Sequence, residues 1–258
     1  AERNRLTRCV PGHSRPGTLT RHRLWRTSMG RSPVCGCRGM RDAGPVVSSM
    51  RAEEHWEEVY GARTQDLGWY EPEPSTLELV TAHSSPGDAV IDVGGGDSRL
   101  VDNLLELGYD DVTVLDLSAV ALDRARSRLD ARSLHARWIH ADVTQFEPDR
   151  TWELWHDRAV FHFLVDEDQR DAYRAVLRRA VAPGGSLVVA AFGREAPDRC
   201  AGLPVVHYDA HSLAAAFAPD FEPIAVGRLD PAQSGEGDQR PYVAGVFSRI
   251  SAQPRKGT

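Results

Sequence analysis

The stretch Asp88-Ala-Val-Ile-Asp-Val-Gly-Gly-Gly-Asp-Ser-Arg-Leu-Val-Asp-Asn-Leu-Leu-Glu-Leu-Gly108 decides how the rest of the chain is read. A short apolar run, Ala89–Val93 broken by Asp92, meets three glycines, and an amphipathic segment follows at once. Leu100, Val101, Leu104, Leu105 and Leu107 fall on one side of a helical wheel, and Gly108 stands where a helix C-terminal glycine belongs. The pattern predicts strand, tight turn and helix, the opening unit of a parallel α/β sheet. Glycine at such a turn lets backbone approach a ligand closely, and the helix N-terminus offers unpaired N–H groups.

Downstream, the same grammar repeats. Val112–Leu117 reads as a second strand, and Ser118 as the N-cap of a helix with Leu122, Ala125 and Leu129 on one face. Trp138–Ala141 and Trp152–His156 are further strands, ending at Asp142-Val143 and at Asp157. Asp166, with Gln169 three residues on, caps a helix whose stripe is Ala172, Tyr173, Val176, Leu177, Ala180 and Val181. Pro183-Gly184-Gly185 turns the chain into the apolar strand Ser186–Ala191. A helix over Asp209–Ala218 and a closing strand pair, Phe221–Val226 and Tyr242–Phe247, follow; the polar loop Asp230–Arg240 joins the pair. Strands alternating with helices define one doubly wound domain.

Upstream, His55, Trp56, Val59 and Tyr60 give a short helix with an aromatic face. Gly68-Trp69-Tyr70-Glu71-Pro72 is an aromatic loop, and Ser75-Thr76-Leu77-Glu78 reads as a capping box opening a second helix. These aromatics either cover one edge of the core or form a lid over a ligand.

The first 50 residues carry ten arginines against Glu2 and Asp42, a formal +8, which leaves about −14 on the remainder of a chain whose total is −6. Residues 1–49 show no apolar periodicity and are expected to be a disordered basic extension, either an organelle transit peptide or a stretch preceding a natural start at Met50. Residues 50–258 form the folded domain. A body so acidic is a poor match for nucleic acid. No run approaches the roughly 18 apolar residues of a membrane span. Cys9, Cys35 and Cys37 lie in the extension, leaving Cys200 alone in the body, so a disulfide framework is excluded and a reducing, cytoplasmic setting is expected.

Ligands of an open α/β sheet bind outside the carboxyl ends of the strands. The residues at those ends are Asp92 to Gly96, Asp116, Asp142 and Asp157. An aspartate after one strand is an ordinary turn residue; one after each of four consecutive strands is a pattern. Asp116, 22 residues beyond Gly94, is spaced to accept both hydroxyls of a ribose. Asp142 is suited to an adenine amine, with Val143 offering a backbone N–H. A dinucleotide fingerprint calls for glycine where Arg99 stands, and Asp97 would face a diphosphate. A nucleoside without phosphates avoids both conflicts. No His pair at helical spacing with a glutamate points to a metal site.

The motifs Val-Ile-Asp-Val-Gly-Gly-Gly, Val-Leu-Asp-Leu-Ser, Ala-Asp-Val and Ala-Pro-Gly-Gly-Ser-Leu, in that order, resemble the class I, Rossmann-like S-adenosylmethionine-dependent methyltransferases. The resemblance implies a three-layer, seven-stranded, mostly parallel sheet of order 3-2-1-4-5-7-6 with an antiparallel last strand. It implies S-adenosyl-L-methionine as cofactor, with Gly94, Gly95 and Gly96 along its methionine part beside Asp92. Asp116 and Leu117 fall at its ribose, and Asp142 and Val143 at its adenine. Asp157 falls near the transferred methyl. Ser98, where many members carry a glycine, is a departure. His55-Trp56-x-x-x-Tyr60 and Trp155–Leu164 are similar to a bacterial branch akin to elongation-factor lysine methyltransferases and thiopurine methyltransferase-like enzymes, with Asp157-Arg158 where the lysine-methylating relatives carry an acidic-basic pair. The acceptor is then a small molecule or a protein, with lysine one option. Asp157 is the first candidate to orient or deprotonate it and His162 the second, whereas His156 reads as structural. Two alternatives remain: a nicotinamide-dependent oxidoreductase, and a non-catalytic cofactor-binding regulator on the same fold.

Overall fold

A computed structural model describes residues 49–62, 69–229 and 240–251. The basic stretch 1–48 with Cys9, Cys35 and Cys37, and also Gly68 and residues 230–239, lie outside the described residues.

Seven strands make one sheet. They are β1 (Val90–Val93), β2 (Val112–Asp116), β3 (Ala136–His140), β4 (Trp152–Arg158), β5 (Val181–Phe192), β6 (Phe221–Leu229) and β7 (Tyr242–Arg249). Their order is 3-2-1-4-5-7-6. β1 pairs in parallel with β2 and β4, β2 with β3, and β4 with β5, while β7 runs antiparallel to both β5 and β6. The order and the single reversed strand are those the resemblance implied. All four residues of β1 are buried, as a central parallel strand covered on both faces requires.

Period-two alternation sorts the strand residues into two cores. Ile91, Val93, Trp155, Leu187 and Val189 face one layer, where Tyr173, Val176 and Leu177 of α5 (Glu167–Ala180) and Leu213 and Phe217 of α6 (Ala210–Phe217) pack. Val90, Val112, Val114, Leu154 and Val188 face the other. That layer holds α2 (Leu77–Ala82), α3 (Leu100–Glu106) and α4 (Ala119–Leu129), through Leu79, Val80, Leu100, Leu104, Leu122 and Leu129. Helix α1 (Ser49–Ala62) lies outside both cores and packs on α4 with its aromatic face.

Local signals explain most element ends. Ser118 Oγ accepts the Ala121 N–H, and Asp166 and Gln169 form a reciprocal capping box. Gly108 takes φ +87°, a left-handed position that glycine fills without steric cost. Three sequence readings are corrected. Leu107 is 52% exposed, because α3 stops at Glu106 and the turn swings the side chain outward. Ser75-Thr76-Leu77-Glu78 is no capping box: the Ser75 N–H and hydroxyl both donate to Glu71, and Thr76 makes no cap. Finally, β4 does not end at His156 but runs two residues further.

Candidate active site

Above the carboxyl ends of β1, β2 and β4 lies a cavity of about 1140 Å³. Asp92, Gly94, Gly95, Asp116, Leu117, Asp142 and Val143 all line it, so the glycine turn and the strand-tip carboxylates converge on one crevice. Gly96 does not line it. A side chain there would meet the Tyr60 hydroxyl at 2.7 Å and Asp116 Oδ2 at 3.1 Å, so its bare backbone lets those two groups close in.

Around that crevice each acidic group has a distinct environment. Asp116 is 7% exposed and accepts the Ser118 N–H at 2.8 Å; burial pushes its carboxyl up to about 7, against the hydrogen bonds from Ser118 and Gly96. Asp142 accepts the Thr144 N–H at 2.8 Å and the Thr144 hydroxyl at 2.7 Å, so it also holds the turn that follows its strand. Asp97 is gripped by Arg128, which also reaches Asp102 at 2.8 Å; burial still raises the Asp97 carboxyl above its ordinary value.

The sequence reading missed a buried polar chain. His156 lies in register with Asp92 on the neighbouring strand, and its Nδ1 stands 2.7 Å from Asp92 Oδ1. Its Nε2 stands 2.9 Å from the Thr76 hydroxyl. All three side chains are buried and all three residues line the cavity. The other Asp92 oxygen, Oδ2, is buried without a hydrogen-bond partner, directly beneath the turn: a Cβ on Gly95 would lie 2.7 Å from it and from Val114. An unpartnered buried carboxylate oxygen under bare backbone calls for a cationic or N–H-bearing group from a ligand. The ammonium of an amino-acid tail is such a group. Asp116 suits a sugar diol, and among the described residues the cavity lining at the glycine turn (Gly94, Gly95, Asp97 and Ser98) carries no basic side chain, which suits a nucleoside without phosphates, so these residues fit S-adenosylmethionine.

Both residues proposed from sequence for the acceptor lie away from the cavity. Asp157 is fully buried on the opposite face of β4; it accepts from the Tyr173 hydroxyl at 2.6 Å and from the Val160 and Phe161 N–H groups at 3.0 and 3.3 Å. Burial raises its carboxyl to about 6, despite those three donors. The reason it misses the site is alternation: β4 continues through Arg158, so Asp157 points the way Trp155 does, toward α5. His162 is likewise fully buried, its Nδ1 accepting from the Phe192 N–H at 3.2 Å. Burial, then the Arg240 and Arg158 charges, depress it to about 3, so it is a neutral core histidine.

Arg158, on the cavity side, takes the place expected for Asp157. It donates to the Trp69 carbonyl at 3.1 Å and to Glu71 Oε1 at 2.8 Å, fastening the aromatic loop across the strand tips. Helix α1 is tied down as well, with Glu57 accepting the Ala119 N–H at 2.6 Å and His55 bonded to the Ala201 carbonyl at 2.9 Å. Trp56, Tyr60, Trp69 and Tyr70 line the cavity, so the aromatic segment both roofs the site and closes the edge of the core. A short ladder between Arg199–Cys200 and Leu203–Pro204 forms the remaining wall. It carries no apolar periodicity that a sequence reading could catch.

Residues 90–185 match the methyltransferase domain family. Those residues thus carry the match to a methyltransferase domain on the seven-stranded fold described above. A mouse (Mus musculus) eEF1A lysine and N-terminal methyltransferase is 26% identical over 138 residues, 53% of this chain and 20% of that protein. The 2-heptyl-1-hydroxyquinolin-4(1H)-one methyltransferase of Mycobacteroides abscessus is 30% identical over 128 residues, 49% of this chain and 55% of that protein. The chain thus spans about a fifth to a half of the length of these curated relatives. Among solved structures, 1,6-didemethyltoxoflavin-N1-methyltransferase of Burkholderia thailandensis, with S-adenosylhomocysteine bound, superposes with a TM-score of 0.61 at 18% identity, covering 82% of this chain and 94% of that one.

Proposed function

We propose that this protein transfers a methyl group from S-adenosylmethionine to a small-molecule acceptor seated over the tip of β4. The observation that carries the reading is the convergence of the bare glycine turn, the orphaned Asp92 oxygen and the buried Asp116 on one crevice. In this arrangement Asp116 accepts the ribose hydroxyls, Asp142 the adenine amine beside the Val143 backbone, and Asp92 with Gly94 and Gly95 holds the amino-acid tail. The bound cofactor supplies an electrophilic sulfonium methyl, so the chain has mainly to hold a nucleophile in line with it. Positioning of this kind contributes on the order of 7–11 kcal/mol, against roughly 3–5 kcal/mol for a general base. Burial of Asp157 and His162 away from the cavity is therefore no obstacle.

A second reading, a lysine of a protein as acceptor, is favoured by the 138-residue match to the mouse lysine methyltransferase. Against it stands the match to the quinolone methyltransferase over a similar span. Isothermal titration with S-adenosylhomocysteine is expected to give micromolar or tighter binding. Transfer of labelled methyl from S-adenosylmethionine into a metabolite pool, and not into lysate proteins, distinguishes the first acceptor class from the second. Tight nicotinamide binding with none of S-adenosylhomocysteine would refute the cofactor assignment.

A further inference from the structure

The cavity is larger than one nucleoside needs, lying just above the roughly 300–1,000 Å³ of ordinary ligand pockets. The cofactor residues occupy the tips of β1 to β3, which leaves the part over the tip of β4, the segment that follows it and the 199–204 ladder. That part is walled by Trp56, Trp69, Phe163, Leu203 and Pro204. Trp56 meets Trp69 and Phe163 edge to face, with ring centroids 5.9 and 5.2 Å apart and interplanar angles of 85° and 81°. The rings therefore stand upright against one another as a box, not stacked as a closed pile. Such walls favour a flat ring, which gains offset or edge contacts on several sides at once.

Charge narrows the choice further. Arg158 and Arg199 also line this end, and Arg158 lies 5.1 Å over the Tyr242 ring. Among the described residues of this part there are two carboxylates: Glu71, which already accepts from Arg158 at 2.8 Å and from the Ser75 N–H and hydroxyl at 2.8 and 2.9 Å, and Asp166, which accepts a backbone N–H as the cap of α5. An ammonium entering here would lose its water, meet two guanidinium groups and find both carboxylates already engaged. A neutral ring suffers none of these penalties, and an anionic ring offsets its lost water against the two guanidinium groups.

We propose that this end of the cavity is the acceptor subsite, and that it takes a flat, neutral or anionic aromatic ring compound in preference to a lysine side chain. The proposal rests on the methyl-transfer reading and refines it. It is tested on the full chain saturated with S-adenosylhomocysteine, by tryptophan fluorescence, using 4-hydroxyquinoline and 2-naphthol as ring probes and a neutral-capped lysine peptide as the ammonium probe. Saturable quenching by at least one ring probe and none by the peptide is expected. Trp56→Ala should weaken ring binding about tenfold, and Trp56→Phe should restore most of it, with S-adenosylhomocysteine affinity held within about twofold. Should Trp56→Ala fail to fold, Leu203→Trp fills the box from the opposite wall and is expected to abolish ring binding alone. Saturable peptide binding without ring binding overturns the proposal, and so does ring binding indifferent to both Trp56→Ala and Leu203→Trp. Failure of S-adenosylhomocysteine to bind wild-type protein overturns instead the reading beneath it.

Discussion

Two buried polar chains sit back to back on β4, one residue out of phase. On one face His156 joins Asp92 to Thr76; on the other, Asp157 joins Tyr173 to the backbone of Val160 and Phe161. Both consist of buried, hydrogen-bonded side chains at the carboxyl end of a central strand. They differ in what lies beyond them. The His156 chain opens on the cavity and leaves Asp92 Oδ2 without a partner, while both oxygens of Asp157 are satisfied inside the core. Burial with a displaced pKa thus does not identify a working group; access to the cavity does.

Breaking the closed face should cost the most stability and the least binding. Asp157→Ala strands the Tyr173 hydroxyl and two N–H groups, and is expected to lower unfolding free energy by about 3 kcal/mol in urea titrations. Its affinity for S-adenosylhomocysteine should nevertheless stay near wild type; a collapse of binding in a stable variant would return Asp157 to the site. The open face should show the reverse. Asp116→Ala removes the proposed sugar contact, and calorimetry should report affinity weaker by about 1.5–3 kcal/mol, with the fold intact.

The pH dependence sharpens the same contrast. Burial raises Asp116 to about 7 and Asp157 to about 6, above the roughly 3.9 of an unfolded aspartate. Between about pH 4 and 7 the folded chain therefore keeps protons that the unfolded chain releases, and the contribution of these two groups to stability falls as pH rises through that window. Asp116→Asn should flatten the fall up to pH 7, whereas Asp157→Asn should flatten only the part below about pH 6. On the proposed contact of an ionised Asp116 with two ribose hydroxyls, cofactor affinity should rise from pH 6 to 8 in wild type and not in Asp116→Asn. The smallest effect is expected at Leu107, already in solvent: Leu107→Gln should change stability by less than about 0.5 kcal/mol, where Leu104→Ala on the same helix costs about 2–5.

How far the site was legible follows from where each residue stands relative to its strand. Asp92, Gly94, Gly95, Asp116, Leu117, Asp142 and Val143 are carried to the cavity by local grammar, a strand ending in a turn, and each was named from the sequence. Asp157 was named by the same rule and failed, because two further residues of β4 pair with β5 as far as Arg158 and Ala190. That pairing moves the strand end and assigns His156 and Arg158 to the cavity face. The capping box at Ser75 failed for a similar reason. Glu71 offered Ser75 a carboxylate, and His156, distant by 80 residues, claimed Thr76.

Apart from the strand order, which only the resemblance to a known family implied, the sequence by itself determined the alternation of strands and helices and the crevice at the strand ends. Those depend on apolar periodicity, glycine conformation and capping, all set within a few residues. Only the tertiary structure decided which face of β4 meets the ligand, which histidine lies there, and that α1, the aromatic loop and the 199–204 ladder wall in a second compartment. Those depend on the register of neighbouring strands and on contacts between segments far apart in the chain, which no local pattern encodes.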